Sequence, residues 1–490
     1  MGHVLIDYIC DIFLCMIKLL IGAATSGSGK TTFTMGLLRA LSRRGLRVQP
    51  FKCGPDYIDT QFHSIAAGSE SVNLDTWMAS PEHIREVFAH YSADADVAVI
   101  EGVMGLFDGY DRMCGSSAEI AALLDVPVVL VVNARSTAYS VAALLYGMKT
   151  FRPDVRIAGV VFNQVASESH YSFLKAAADD AGVPSLGWIP RAEGIEVPSR
   201  HLGLTIGMEQ EISALADRAA DLIEHNRDGS FCVNASDCTE LFGVSVSETM
   251  AARGHVNGRG PLRRSGRDSA PSWRVVSDTD TPKSSPNIAL TTQDKPSLLC
   301  IAVARDRAFN FTYRENIDRL KEMGEVVFFS PLAGDELPDA DLVYLPGGYP
   351  ELFAPELSLN RTLAAQLVQY AEKGGRILAE CGGMMYLGES VTDQNGKTWP
   401  MAGVLPIECT MDGARLHLGY RKMTVGGVDF KGHEFHYSSI VDPDVLPALR
   451  IQTNAKHQPV DTALYRYKNV IAGYTHWYWG ETDINAFWEL

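Results

Sequence analysis

The chain has 490 residues, 46% of them hydrophobic and 21% charged. That is ordinary globular composition at a length that calls for roughly two or three cores rather than one. A net charge of −16, with no run of Lys and Arg dense enough to offset phosphate repulsion, excludes a nucleic-acid binder and points to small-molecule partners.

The N-terminal stretch VLIDYICDIFLCMIKLLIG (4–22) is apolar, but Asp7, Asp11 and Lys18 interrupt it and no basic segment precedes it. It reads as a short extension over 1–16 that runs into a first strand, not as a membrane anchor. Over 17–225, apolar runs (KLLIGAA, RVQPFKC, ADVAVIEG, VPVVLVVNA, RIAGVVFNQV) alternate with helical patterns. Strands buried on both faces and separated by helices predict an α/β fold, a doubly wound parallel sheet.

The first strand leads into IGAATSGSGKTTFTMGLLRAL (21–41), a strand, a glycine-rich turn and a helix. The backbone N–H groups of Gly27, Ser28, Gly29, Lys30, Thr31 and Thr32, with the positive end of the helix, form a phosphate cradle suited to ATP. Lys30 would reach the β and γ oxygens, and the Thr31 hydroxyl would ligate Mg²⁺. Ala24 stands where the strict P-loop pattern has glycine, yet Gly22, Gly27 and Gly29 keep the loop open. Asp56, Asp59, Glu101 and Asp108 follow later strands and surround the crevice at their carboxyl ends. Mg²⁺ needs one or two such acids, and Asp56 and Glu101 join Thr31 as its candidate ligands.

Residues 226–296 are rich in Ser, Arg, Asp, Gly and Pro with little apolar periodicity, and predict a flexible linker with room for one helix over 239–252. Over 297–490 strand patterns return (SLLCIAVA, EVVFFSP, DLVYLPGG, GGRILAEC) ahead of a more β-rich tail, so a second α/β domain is expected. There, RILAE-Cys381-Gly382-Gly383 followed by a helical MMYLGE has the form of a nucleophile elbow. The N–H of Gly382, with Gly347 and Gly348 of LPGGYPE, would hold an oxyanion. The thiol needs a histidine to take its proton. Of thirteen histidines, His476 in AGYTHWYWG is preferred over His433 and His436 in KGHEFHYS. A glutaminase triad would have glutamate two residues after the histidine; Tyr478 is there, which leaves a dyad. Nine cysteines, odd in number and without a C-x-x-C or Cys/His cluster, indicate neither a disulfide framework nor a zinc site and fit a reducing cytoplasmic setting.

Six motifs in order, KCGPDYID, IEGVMGLFDG, RDRAFNFTYRENID, LPGGYPE, AECGGMMYL and GHEFHYS, resemble the cobyrinate a,c-diamide synthase family, in the group that also holds cobyric acid synthase. The resemblance implies a P-loop synthetase domain similar to dethiobiotin synthetase and a class I glutamine amidotransferase-like domain. It implies ATP- and glutamine-dependent amidation of the a and c acetates of a corrinoid, with Mg²⁺, in the cytoplasm and without nucleic acid or membrane; a homodimer is the assembly it admits. By motif it gives Cys381 as nucleophile and His476 as base. Asp56, Tyr57, Ile58, Asp59, Glu101 and Asp108 serve metal, ATP and substrate, Lys52 touches phosphate, and Asn163 reads adenine. The competing expectations are the same chemistry on hydrogenobyrinate or a nickel sirohydrochlorin and, in another class, a P-loop nucleotide switch with a degenerate second domain.

Overall fold

The computed structural model describes residues 16–192, 208–225, 299–449 and 451–490. The expected linker over 226–296, its helix at 239–252, and residues 1–15 of the extension lie outside them.

In the first domain β1 (Ile17–Ala23), β2 (Val48–Cys53), β3 (Val72–Leu74), β4 (Val97–Glu101), β5 (Val128–Asn133), β6 (Ile157–Val165) and β7 (Ser185–Pro190) form one sheet in the order 3-2-4-1-5-6-7. Every pairing is parallel. Alternate side chains feed two cores. Leu20, Ile100 and Leu130 go to one, while Leu19, Ile21, Val99 and Val131 go to the other. Helices α1 (Lys30–Arg43), α2 (Ile58–Ala67), α3 (Pro81–Ser92), α4 (Ser117–Leu123), α5 (Val141–Thr150), α6 (Glu168–Asp180) and α7 (Met208–His225) complete this domain. The last lies on α1, where Arg43 bonds Asp217 at 2.8 Å and Asp221 at 2.7 Å. With β4 on one side of β1 and β5 on the other, the loop after β1 opens at the crevice where doubly wound sheets bind ligands.

The second domain opens with β8 (Leu299–Ala304), α8 (Arg314–Met323), β9 (Gly324–Phe329), β10 (Leu342–Leu345), α9 (Ala354–Leu357), α10 (Arg361–Glu372), β11 (Arg376–Glu380) and α11 (Gly382–Leu387). The β-rich tail supplies β12 (Ser390–Thr392), β13 (Thr398–Pro400), β14 (Glu408–Thr410), β15 (His417–Val425), β16 (Val428–His436), β17 (Ser439–Ile440), β18 (Ala448–Leu449), β19 (Leu464–Tyr467), β20 (Val470–Gly473) and β21 (Thr475–Tyr478). The main sheet runs 18-19-20-11-10-8-9, and its five strands from β20 to β9 are parallel. Two smaller sheets, 13-12-14-17 and 15-16-21, flank it. Among the described residues no helix is long and apolar enough to cross a membrane.

The two domains share a core. Phe311, Tyr313 and Tyr478 belong to the same hydrophobic cluster as Tyr57, Trp77 and Met78 of the first domain. Polar contacts line the seam. Tyr420 donates to Asp75 at 2.7 Å, and Glu481 accepts from the N–H and hydroxyl of Ser80, each at 2.6 Å. Tyr478 bonds Glu315 and, at 3.0 Å, His83 Nε2. The residue that departs from the triad pattern is therefore part of the domain junction.

Asp75 is 6% exposed and accepts three bonds, from Trp77 N–H at 2.8 Å, Met78 N–H at 2.9 Å and the Tyr420 hydroxyl. Each buried donor left unpaired costs about 1–3 kcal/mol. Asp75→Ala, which strands three donors, should therefore lower the thermal midpoint clearly more than Tyr420→Phe, which leaves one carboxylate oxygen without its donor. Equal shifts in a melting series would show that the two N–H bonds add nothing beyond the Tyr420 contact.

Candidate active sites

Helix α1 begins at Lys30, directly after Gly29, whose left-handed backbone (φ +91°) no side chain caps. That geometry turns the N-terminal end of the helix, with the positive end of its dipole, toward the loop, an arrangement suited to an anion. Gly29 is also sterically required, since a Cβ there would lie 2.1 Å from Asn163 Nδ2. Asn163, on β6, donates from that nitrogen to Ser28 O at 3.0 Å and so forms a wall of the loop. Lys30 Nζ donates to Met104 O at 2.5 Å. Asp108 holds the same segment by accepting from Gly105 N–H at 2.9 Å.

Under the loop is a buried charge network. Thr31 Oγ1 lies 2.8 Å from Glu101 Oε1 and 3.5 Å from Asp59 Oδ2. Lys52 Nζ sits between the same acids, 2.6 Å from Asp59 and 2.8 Å from Glu101. Burial alone would lower the Lys52 pKa, but the charges of Asp59, Glu101 and Asp56 outweigh it and hold it above its ordinary value. Burial would likewise raise that of Glu101, but Lys52 and His63 hold it well below the usual carboxylate range. Asp56 orders the start of α2, its Oδ1 accepting from Ile58 and Asp59 N–H at 2.9 Å each. His63 was not singled out from sequence, yet its Nε2 lies 2.6 Å from Glu101 Oε2. Its position four residues after Asp59 on α2, hence on the same helical face, was the available signal.

The Tyr57 side chain leaves this cluster and crosses the seam. Its ring lies 5.4 Å from Phe311, 4.8 Å from Tyr313 and 4.9 Å from the imidazole of His476.

At the second site Cys381 caps α11 with φ 47° and ψ −105°, a strained corner that the flanking elements enforce. Cys381 N–H donates to Gly473 O at 2.7 Å, tying the elbow to β20. The loop after β10 presses against it. A Cβ on Gly382 would fall 2.8 Å from Gly348 O, and one on Gly347 would fall 1.9 Å from Cε1 of His476. The three glycines thus gather between elbow and imidazole.

Of the histidines near the thiol, His436 has both nitrogens engaged, Nδ1 by Ser438 O and Nε2 by Glu434, each at 2.8 Å. His476 is 1% exposed with both nitrogens unpartnered, and it lies opposite His433 in the β16–β21 register. Burial, with the His433 and His436 charges, pushes its pKa down to about 3. The Cys381 thiol, 3% exposed, is pushed well above its ordinary value by burial and the Glu351 charge, and it directs Sγ at Phe435 O, 3.8 Å away. Thiol and imidazole are both neutral at rest. His417, Glu434 and His436 also gather ligand atoms within 4.8 Å of one another. The two imidazoles lie parallel with centroids 4.7 Å apart, however, so their lone pairs run side by side, and Glu434 is engaged by Arg421 at 2.6 Å.

A nucleotide cradle in one domain and a thiol elbow in the other are the parts of a glutamine-dependent, amide-forming class of enzyme. Residues 19–204 match the CobQ/CobB/MinD/ParA nucleotide binding domain, and residues 300–484 match the CobB/CobQ-like glutamine amidotransferase domain. A cobyrinate a,c-diamide synthase of Picrophilus torridus is 38% identical over 94% of this chain and 95% of its own. A hydrogenobyrinate a,c-diamide synthase of Brucella anthropi is 38% identical over 93% of this chain and 97% of its own. A cobyrinate a,c-diamide synthase of Priestia megaterium is 35% identical over 95% and 94%. The chain belongs to the cobyrinate/hydrogenobyrinate a,c-diamide synthase family.

Glu380, beside the nucleophile, is 1% exposed, and burial pushes its pKa up to about 8 against the bonds from Trp477 N–H and Tyr344 OH. The fold therefore favours its neutral form. That contribution to stability is complete below the unfolded pKa and is lost as pH rises through about 8. Wild type should lose stability relative to Glu380→Gln between about pH 5 and 8, by roughly 1–3 kcal/mol. Parallel melting-temperature curves for the two proteins across that range would contradict a neutral Glu380.

Proposed function

We propose that the protein uses ATP and glutamine to convert the a and c acetate carboxylates of cobyrinate into amides, in cobalamin biosynthesis. The observation that carries this reading is that one short segment serves both sites. Asp59 joins Lys52, Glu101 and Thr31 beneath the phosphate loop, while Tyr57, two residues earlier, packs against His476. Hydrogenobyrinate is the second reading, because a relative of that name is as similar to this chain as the Picrophilus cobyrinate enzyme.

A carboxylate is a poor electrophile, so it must first be activated. Transfer of the γ-phosphoryl group of ATP to it gives an acyl phosphate and ADP; ammonia then attacks the acyl carbon and phosphate leaves. Lys30 exchanges Met104 O for phosphate oxygens, and the N-terminal end of α1 faces the rest of the anion. The hydroxyl and carboxylates around Thr31 are hard oxygen donors, a set that suits Mg²⁺. Thr31, Asp59 and Glu101 would hold the ion, with Asp56 ordering the loop that carries Asp59. When bound, Mg²⁺ offsets the charge on the transferred phosphoryl group. Lys52 and His63 keep Glu101 ionised.

In the second domain Cys381 passes its proton to His476 and its sulfur attacks the glutamine carboxamide. The N–H groups of the loop at Gly347 and Gly348 and of Gly382 hold the oxyanion. Ammonia departs with the proton from His476, and water cleaves the thioester to glutamate. Formation of the ion pair requires thiol and imidazole to come within hydrogen-bonding reach as glutamine enters, the tightening expected between a free and a loaded site.

Supplying cobyrinate, hydrogenobyrinate and nickel sirohydrochlorin separately with ATP and glutamine and weighing the products tests the substrate; a diamide from cobyrinate is expected. Cys381→Ser should abolish glutamine-dependent amidation, by about a thousandfold or more, and retain amidation fed by ammonium salts. Survival of the glutamine-dependent rate would remove Cys381 from the mechanism, and ATP turnover indifferent to any macrocycle would remove the synthetase assignment.

A further inference from the structure

We infer that the cavity between α2 and the segment after β8 receives the macrocycle, with Arg307 as the cation that pairs with one of its non-reacting carboxylates. The inference rests on a polycarboxylate macrocycle being the substrate, as proposed above, and assigns the place where that ligand lies.

The cavity has a volume of about 880 Å³, near the top of the roughly 300–1,000 Å³ usual for small-molecule sites. Its walls come from both domains. Tyr57, Gln61 and Ser64 line it from the first, and Arg305, Arg307 and Asn310 from the second. No residue of the phosphate loop or of the thiol elbow lines it, so it serves neither the phosphates of ATP nor the carboxamide of glutamine.

Its position suits a ligand that must present a carboxylate for phosphorylation. Helix α2 turns Gln61 and Ser64 to the cavity and, on another face, Asp59 and His63 to the acid cluster under the phosphate loop. Asn73, also in the wall, donates to Asp56 O at 3.0 Å and so ties the edge of the cavity to the segment ahead of α2.

The charges in the wall single out one residue. Arg305 pairs with Glu70 at 3.4 Å, and Arg314 pairs with the same carboxylate. Asp318 takes Arg314 at 2.7 Å and Lys321 at 2.8 Å. The Arg307 guanidinium lies over the Phe353 ring, 4.7 Å from its centroid, and among the described residues no carboxylate pairs with it. A ring contact orients a guanidinium without neutralising it, which leaves its planar fork suited to a carboxylate. The Ser71 hydroxyl, in the same wall, is likewise a donor with no partner. The macrocycle has carboxylates besides the two that become amides. Pairing one of them with Arg307 fixes which edge of the ring lies at Tyr57.

The test is amidation by the full chain with each substrate varied in turn. Arg307→Gln should raise the cobyrinate KM by roughly tenfold or more and leave those for ATP and glutamine within about twofold, the loss expected for a hydrogen-bonded charge pair. Arg307→Lys, which keeps the charge but not the fork, should fall between. Gln61→Trp, which narrows the cavity and leaves its charges alone, should raise the same KM. A cobyrinate KM unchanged in Arg307→Gln or in Gln61→Trp overturns the assignment, as does a rise confined to glutamine, which would tie Arg307 to the elbow instead. Should wild type amidate neither cobyrinate nor hydrogenobyrinate, the substrate reading itself fails and this inference with it.

Discussion

The junction at Tyr57 is the contact on which the two-site arrangement depends. Its ring projects from the segment that orders the acid cluster of the first domain and lies among Phe311, Tyr313 and His476 of the second. Aromatic pairs of this kind each add about 0.5–1.5 kcal/mol beyond the area they bury. Their larger effect is geometric, because a shared core fixes how the two sites sit relative to one another.

At both sites the charged groups are engaged with protein partners. Beneath the phosphate loop Lys52 lies between Asp59 and Glu101, and Lys30 donates to a backbone carbonyl. At the elbow, burial keeps the thiol protonated and the imidazole uncharged.

Tyr478 shows how a departure from a familiar pattern is resolved. A carboxylate two residues after the catalytic histidine orients the imidazole in many glutaminases. Here the side chain at that position turns into the seam and bonds Glu315 and His83. The imidazole is packed against the ring of Tyr57, and Gly347 lies so close to it that a Cβ there would clash.

The sequence by itself determined what depends on local order along the chain. Strand, glycine turn and lysine in succession specify a phosphate loop, and strand, cysteine and paired glycines specify an elbow, because each is a backbone conformation that few residue types tolerate. Two α/β domains were legible in the apolar runs for the same reason. Tertiary structure alone decided which side chains from distant segments share a charge. It set Asp59, in place of Asp56, with Glu101 beside Thr31, brought His63 to Glu101 and committed His436 to Glu434. Pairing inside a core is set by the direction of side chains across elements far apart in the chain, and it carries no signature in spacing.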